Sequence, residues 1–441
     1  MRALGRGIAL LLLLAVLPAG AESYRFSLEE AVAYGVQNST AIRSKALALE
    51  AAKLDLAAAR AAYYPSLSAG LTYTHILPQP GSPGFYYPDD PLAFSANLSQ
   101  SIYTFGKLKG GVKLAEGAAA QASLDLAEET RKTVVLIKKA FYGYLLALEV
   151  QGINRETLGR KQEALEVARL RYNAGQVADY EVLRAESDLE SFRATVIASD
   201  NAVQIALLNV RAALGIREEN FEFQLVGELK PLDFGIDPQA LLARALERKY
   251  ELASFRKGMD LTAAQAALNH SLALPTLVGF VSYSLQSGAD TASGKNQYFG
   301  SGAWDSSWTT GLSFSVPVSA LFPWSGESAA VRKTALQLEN LRQQYPSLES
   351  GVRTAVQSAI LRIAEQEAKI ASGNKSVALA ERLYESAEVQ YRSGYISSTD
   401  LKDAQLGLNG AQLALAQAVF GYNQNVLDLM DVVGMDGEDN P

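Results

Sequence analysis

The side chains that usually do chemistry are scarce in this chain. There is no cysteine in 441 residues and the only histidines are His75 and His270. Disulfides, thiolate zinc sites, Cys nucleophiles and a lipid-modified N-terminal Cys are therefore excluded, and His-ligated metal sites and Ser-His-Asp triads nearly so. The stretch Gly288 to Asn296 contains Gly294-Lys295, but its glycine spacing is wrong for a phosphate loop and Asn296 stands where Ser or Thr would hold magnesium. Asn-x-Ser/Thr triplets at Asn38, Asn97 and Asn374 carry no weight in a chain of this class. No acid/base pair sits on a cleft-forming motif. The sequence predicts a non-enzyme with no cofactor and no metal.

Composition points elsewhere. At 48% hydrophobic and 20% charged, the chain is too polar for a helical membrane protein and too apolar for disorder. Arg2 and Arg6 precede an apolar run from Ile8 to Leu17, and Ala19-Gly20-Ala21 precedes Glu22. This reads as a cleaved signal peptide over residues 1–21; an anchor helix is disfavoured because ten apolar residues are about half a bilayer span. Losing two arginines takes the net charge from −7 to −9, which disfavours nucleic acid as a partner. No later run approaches 18 apolar residues, so the mature chain is either soluble or a β-barrel.

The chain repeats itself. Ser27-Leu28-Glu29-Glu30-Ala31 opens a helical pattern ending at Tyr64-Pro65, and Asp237-Pro238-Gln239-Ala240-Leu241 opens another ending at Leu274-Pro275, with one offset relating both starts and both prolines. Tyr172, Gly175, Ala185 and Gly215 recur as Tyr391, Gly394, Ala404 and Gly434, at an offset larger by nine. The nine extra residues of the second copy are expected in the Gly/Ser-rich stretch Ser287–Ala303. The organisation predicted is a first repeat over 22–215, a linker over 216–236, a second repeat over 237–434 and a tail over 435–441.

Each repeat reads as helix, strand, loop, strand, very long helix, turn, helix. Ser27 and Glu30 form a capping box. Strands are predicted over about 66–76, 92–104, 276–286 and 308–318. Leu67, Ala69, Leu71 and Tyr73 alternate with Ser66, Ser68, Gly70 and Thr72, and Phe94, Ala96, Leu98 and Ile102 with Ser95, Asn97, Ser99 and Ser101. Thr310, Leu312, Phe314, Val316 and Val318 oppose Thr309, Gly311, Ser313 and Ser315. The loop Leu77–Pro91 holds five prolines, too many for a ladder. Long helices are predicted over 107–173 and 325–392, with turns at 174–178 and 393–398 and return helices over 179–214 and 399–433. At 1.5 Å per residue the long ones reach about 100 Å. Val134, Ile137, Phe141, Tyr144 and Leu148, and Leu338, Leu341, Tyr345, Leu348 and Val352, fall at coiled-coil spacing, and Pro346 predicts a kink or break. Seams alone leave a soluble four-helix bundle open.

Strands apolar on one side and Ser/Thr/Asn-rich on the other match the lipid-out, lumen-in alternation of an outer-membrane barrel. Four strands cannot close, and open edges are not tolerated in lipid. A trimer would supply twelve strands above twelve helical columns, which reads as a tunnel.

The paired repeat, the Ala62-Tyr63-Tyr64-Pro65-Ser66-Leu67 junction, and the turns Arg171-Tyr172-x-x-Gly175 and Gln390-Tyr391-x-x-Gly394, each followed by x-x-Leu-x-x-Ala, resemble the TolC-type outer-membrane efflux family. The resemblance covers essentially the whole mature chain. It implies a mixed α and β membrane protein: a homotrimeric channel-tunnel with a 12-stranded outer-membrane β-barrel, four strands per protomer, and a periplasmic α-helical coiled-coil barrel. Gly215–Gly235, with Phe221, Phe223 and Leu225, and the tail after Gly434 would supply an equatorial belt. The implied function is a passive, gated exit duct for tripartite efflux or type I secretion. Its implied partners are a periplasmic adaptor (membrane fusion) protein and an inner-membrane pump of the RND, ABC or MFS type.

The resemblance also assigns residues. Asp400 and Asp403 align with an acidic pair lining the closed periplasmic entrance, where six converging carboxylates would raise one another's pKa and favour cations; the plainer reading is a helix N-terminal Asp400 and a solvated Asp403. Tyr391 and Glu181 align with a link that holds the entrance shut. Ile396 stands where the family has an Arg for a second link, so fewer bonds would hold the closed state. Gly175 and Gly394 would form the helix-helix turns, and Val177, Ala178, Ser397 and Leu401 would touch the adaptor. Outer-membrane lipid would meet Leu67, Leu71, Leu98, Leu312, Phe314 and Val316, with Tyr73, Tyr103, Trp304 and Trp308 as interfacial anchors. A periplasmic coiled-coil adaptor without a pore is the alternative, disfavoured by the two symmetric copies of the strands.

Overall fold

The computed structural model describes residues 24–74, 92–217, 223–287 and 304–435. The expected leader, His75, the Leu77–Pro91 loop, Phe221, the Gly288–Asn296 stretch and the tail beyond 435 lie outside the described residues. Chain order is β1 (Tyr24–Phe26), α1 (Leu28–Asn38), α2 (Thr40–Ala61), β2 (Ser66–Tyr73), β3 (Leu92–Tyr103), α3 (Lys107–Asn173), α4 (Asp179–Leu214), β4 (Phe223–Leu225), α5 (Pro238–Arg248), α6 (Tyr250–Leu272), β5 (Thr276–Ser287), β6 (Trp304–Ser315), a 3-10 turn (Val318–Leu321), α7 (Gly326–Arg392) and α8 (Ser398–Val433). The two long helices both have 67 residues and their return helices both have 36. Their ends are set locally. Gly175, Gly215, Gly394 and Gly434 take φ of +69°, +72°, +80° and +68°, the left-handed backbone that stops a helix and that glycine adopts without strain.

Several expectations are corrected. The helix expected from Leu28 to Tyr64 is broken at Ser39, whose backbone is extended and whose side chain caps α2. Its counterpart breaks at Lys249, the equivalent position of the second repeat. Neither break has a proline or glycine to announce it; packing makes them. A β-carbon on Gly215 would stand 3.1 Å from the Asn38 carbonyl oxygen, and one on Gly434 would stand 3.0 Å from that of Arg248. The end of each return helix is therefore seated on the helix break of its own repeat. Pro346 was expected to kink or break α7; the break is absent, since the helix runs unbroken from Gly326 to Arg392. Pro346 removes one amide from the helical ladder, and the neighbouring residue is anchored by Arg256 Nε donating to the Tyr345 hydroxyl at 2.7 Å.

The strands form one sheet, ordered β2-β3-β5-β6 and antiparallel throughout. Ser66 pairs with Ser99 and Thr276 with Ser315. By this register only six of the nine extra positions lie in the second hairpin. The other three fall between the sheet and α7, where the 3-10 turn sits. The fourth strand accordingly ends at Ser315: Val316 lies just past it and Val318 opens the turn. β1 was not foreseen. It pairs in parallel with β4, within the expected linker, and Phe26, Phe223 and Leu225 are buried there. The main core gathers around this pair, at mid-height of the rods: Ile137, Phe141 and Leu145 of α3 meet Val210 and Leu214 of α4, Val352 and Val356 of α7, and Val426 and Leu429 of α8.

Candidate functional site

Two regions hold the residues singled out above: the faces of the sheet at one end of the rods, and the helical turns at the other. Register decides the faces, because directly paired residues share a side. Leu67, Leu98, Val281 and Thr310 form one row, Ala69, Ala96, Tyr283 and Trp308 the next, and Leu71, Phe94, Leu285 and Ser306 a third. The opposite side carries Ser68, Asn97, Ser282 and Thr309, and then Gly70, Ser95, Ser284 and Ser307. Hydroxyls knit that side together: Ser66 and Ser99 Oγ atoms lie 2.7 Å apart, Ser282 donates to Asn97, and Ser284 meets Ser307 at 2.8 Å. Leu67, Leu71, Leu98, Leu312 and Phe314 are exposed on the apolar side, as are Tyr73, Tyr103 and Trp308. Val316 is exposed too, though beyond the strand. β2 and β6 each pair with one neighbour only, so both sheet edges are open in the single chain. An exposed leucine-rich face is costly in water, as is an unpaired edge in lipid.

At the other end, the α3–α4 and α7–α8 hairpins turn beside each other. Ser397 caps α8 reciprocally with Asp400: the Asp400 amide donates to Ser397 Oγ at 3.2 Å, and the Asp400 carboxylate accepts from the Ser397 amide at 3.0 Å and its hydroxyl at 2.7 Å. Those bonds from the Ser397 side chain and backbone hold the Asp400 carboxyl below the usual aspartate range. Asp400 and Asp403 are both exposed, one helical turn apart, away from the hairpin's own seam. Asp400 is the helix N-terminal residue of the plainer reading, with a reciprocal cap to Ser397 that was not foreseen, and both carboxylates remain exposed.

Tyr391 is buried with Ala387, Leu401 and Ala404. Its ring lies 5.1 Å under the Arg171 guanidinium, whose Nη1 also donates to the Tyr391 carbonyl. Glu181 and Tyr391 line one small cavity of about 50 Å³ together with Lys161, Arg184, Asp188 and Lys402. In this chain the Glu181 carboxylate accepts from the Ser398 hydroxyl. Two further bonds tie α4 to α8: Arg184 donates to Thr399 Oγ1 at 2.9 Å, and Lys402 pairs with Asp188 at 2.7 Å. Burial holds the Lys161 ammonium below its usual range against the pull of Asp188. Sequence reasoning did not find this set. Arg184 and Asp188 follow Glu181 at helical spacing and would have been the signal.

Gly175 and Gly394 form the turns as expected, and Ala178 and Ser397 are exposed with Val177 half-buried. Leu401 is corrected: it packs under Tyr391 in the seam and offers no surface to a partner. Tyr395 is 85% exposed at the tip, and Tyr180 is exposed on the neighbouring turn. Among the described residues no group of acidic or histidine side chains could hold a metal ion, and no helix is long and apolar enough to cross a membrane.

Comparison with known proteins agrees with this geometry. The model of the family described as outer membrane efflux protein matches residues 36–216 and 241–435. The chain is 24% identical to the outer membrane protein TolC of Escherichia coli (strain K12), over 89% of this chain and 79% of that one. Its fold is similar to the CmeC outer membrane channel of Campylobacter jejuni, with a TM-score of 0.78 at 16% identity over 92% of this chain and 85% of that one. It is similar too to the outer membrane protein VceC of Vibrio cholerae, with a TM-score of 0.75 at 17% identity over 93% and 96%.

Proposed function

The chain belongs to the outer membrane efflux protein family and is an outer-membrane channel of tripartite efflux; from that premise we propose that three copies close their sheets into one twelve-stranded barrel above a helical tunnel. The observation that carries this is the two-faced sheet with both edges open. Exposed apolar side chains need lipid and open backbone edges need partners, and end-to-end closure of three sheets supplies both at once. The rods then form the periplasmic duct, with their unpartnered apolar positions, such as Leu361 and Leu379, facing neighbouring protomers. Substrate would arrive from an inner-membrane pump through a periplasmic adaptor seated on the turns, against Val177, Ala178, Ser397 and Tyr395. Asp400 and Asp403 would line the entrance. In the closed state the Ser398–Glu181, Arg184–Thr399 and Lys402–Asp188 bonds would hold the two hairpins of one protomer together around Tyr391, in place of the arginine that Ile396 replaces. The adaptor alternative is dropped, because the family match spans both repeats.

The test is the number of chains per particle in detergent together with pore formation in a planar bilayer. Trimers that conduct are expected; monomers that stay in solution without detergent and form no pore would sink the reading. A paired substitution checks the faces. Val281 and Ser282 are neighbours at the centre of β5 on opposite sides of the sheet. Val281→Arg is expected to cost about 2–4 kcal/mol and to block assembly into the membrane, while Ser282→Arg, facing the lumen, assembles normally. Equal tolerance of both would put the apolar face somewhere other than lipid.

A further inference from the structure

The small cavity at the helical turns holds one cation more than it has acids to meet. Lys161 of α3, Arg184 of α4 and Lys402 of α8 line it, against Glu181 and Asp188 of α4. Lys402 pairs with Asp188, Arg184 donates to Thr399, and Glu181 accepts from Ser398. Lys161 is left over. It is 8% exposed, and among the described residues its ammonium makes no hydrogen bond or ion pair. What it has is the face of the Phe192 ring at 5.3 Å and, beyond ion-pair distance, the pull of Asp188, which Lys402 opposes. The side that covers it is the other hairpin. One helical turn before Lys161, the Thr157 hydroxyl accepts from Asn409 of α8 at 2.9 Å and the Thr157 carbonyl accepts from Gln405 of α8 at 3.4 Å, so this face of α3 looks toward α8. Tyr391 and Leu401, both buried, line the same cavity from α7 and α8. The cavity therefore lies between the two hairpins of one protomer, not on the flank of α7 that meets a neighbour.

Taking an ammonium out of water without a carboxylate beside it is unfavourable. Here that cost falls only on the state in which the hairpins are packed together, because water reaches Lys161 once they part. We propose that Lys161 is an opening bias built into the gate: its uncompensated charge works against the bonds that hold the two hairpins together, so that the closed tip is poised to open. The proposal rests on the reading of the turns as a gate. A polar residue in a helical seam can instead fix register and so support the packed state. The two roles give opposite signs to removal of the charge.

The frequency of openings to high conductance in planar bilayers reads that sign. Lys161→Met keeps the length of the side chain and removes its charge; it is expected to lower the opening frequency roughly tenfold, without lowering the thermal unfolding midpoint in detergent. Asp188→Asn strands Lys402 as well as Lys161 and is expected to raise the frequency. Lys161→Met/Asp188→Asn restores the wild-type net charge of the cavity and should fall back toward the wild-type frequency. Lys161→Gln is expected to act in the same direction as Lys161→Met, and decides the matter if Met impairs trimer assembly. Neutral variants that open as often as the wild type or more often overturn the proposal, as does a double variant that opens as often as Asp188→Asn alone. A wild-type pore that never closes keeps the channel but overturns the gate and this proposal with it, and a wild type that forms no pore overturns the channel reading as well.

Discussion

Block of the reconstituted pore by a polyvalent cation added on the periplasmic side is expected to weaken roughly a hundredfold in the Asp400→Asn/Asp403→Asn protein. The two carboxylates are exposed, one helical turn apart, and three copies would present six at the entrance. Asn rather than Ala is the informative replacement, since it can still accept from Ser397 and so keeps the helix cap while removing the charge. The pH profile carries a second reading. Hydrogen bonds from Ser397 hold the Asp400 carboxyl below its usual range; a depressed carboxyl keeps its charge above the ordinary value and loses it only as pH falls through the depressed one. Block should therefore persist through the ordinary aspartate range, about 3.9, and fade below it. Fading well above that range would mean that crowding of the six charges outweighs the cap. Block unchanged in the double variant would move the gate to another ring of residues.

The largest loss of stability is expected at Arg131. Its side chain and that of Glu128 are each 6% exposed, paired at 2.6 Å. Arg131 Nη1 reaches across to α8, donating to the Asp431 carbonyl at 2.9 Å and meeting its carboxylate at 2.5 Å. Lys249, at the break between α5 and α6, donates to the same carbonyl at 3.1 Å. Burial opposes the charge on Arg131, but the bonds and charges of Glu128 and Asp431 more than offset that and raise its pKa. Arg131→Ala leaves Glu128 buried with only the exposed Lys132 as a partner, and is expected to cost about 3–5 kcal/mol. Replacing both partners by apolar residues, Glu128→Leu/Arg131→Met, should recover most of that loss, because no charge is then left stranded. Thermal unfolding in detergent reads both variants. A loss under about 1 kcal/mol for Arg131→Ala would mean that water or Lys132 satisfies Glu128 and that the cluster does not fasten α8 to the equator.

How much of this was legible follows from how local each cause is. The bounds of α3 and α4 match their expected values because a left-handed glycine and a periodic seam are written in consecutive residues. The strand faces were readable for the same reason, since alternation needs no partner. By contrast, the burial of Leu401 was not legible, because a helical period tells which residues share a face, and only the packing of α8 on α7 tells which face is covered. The Arg131 cluster joins α3 to the far end of the chain in α8, and no spacing rule reaches that far.

The sequence by itself therefore determined two repeats, the lengths of the rods, the turns between them and the two-sidedness of β2, β3 and β6; the segment from Thr276 to Leu285 alternates less cleanly. Tertiary structure decided the rest. β3 pairs with β5 although α3, α4, β4, α5 and α6 all lie between them in the chain, so two hairpins become one open-edged sheet only after the rods have brought them together. The breaks at Ser39 and Lys249 exist because Gly215 and Gly434 pack against the carbonyls there. Local dihedral preferences and hydrophobic period act over a few residues, whereas sheet order, helix breaks and buried ion clusters depend on surfaces that exist only once distant segments have met.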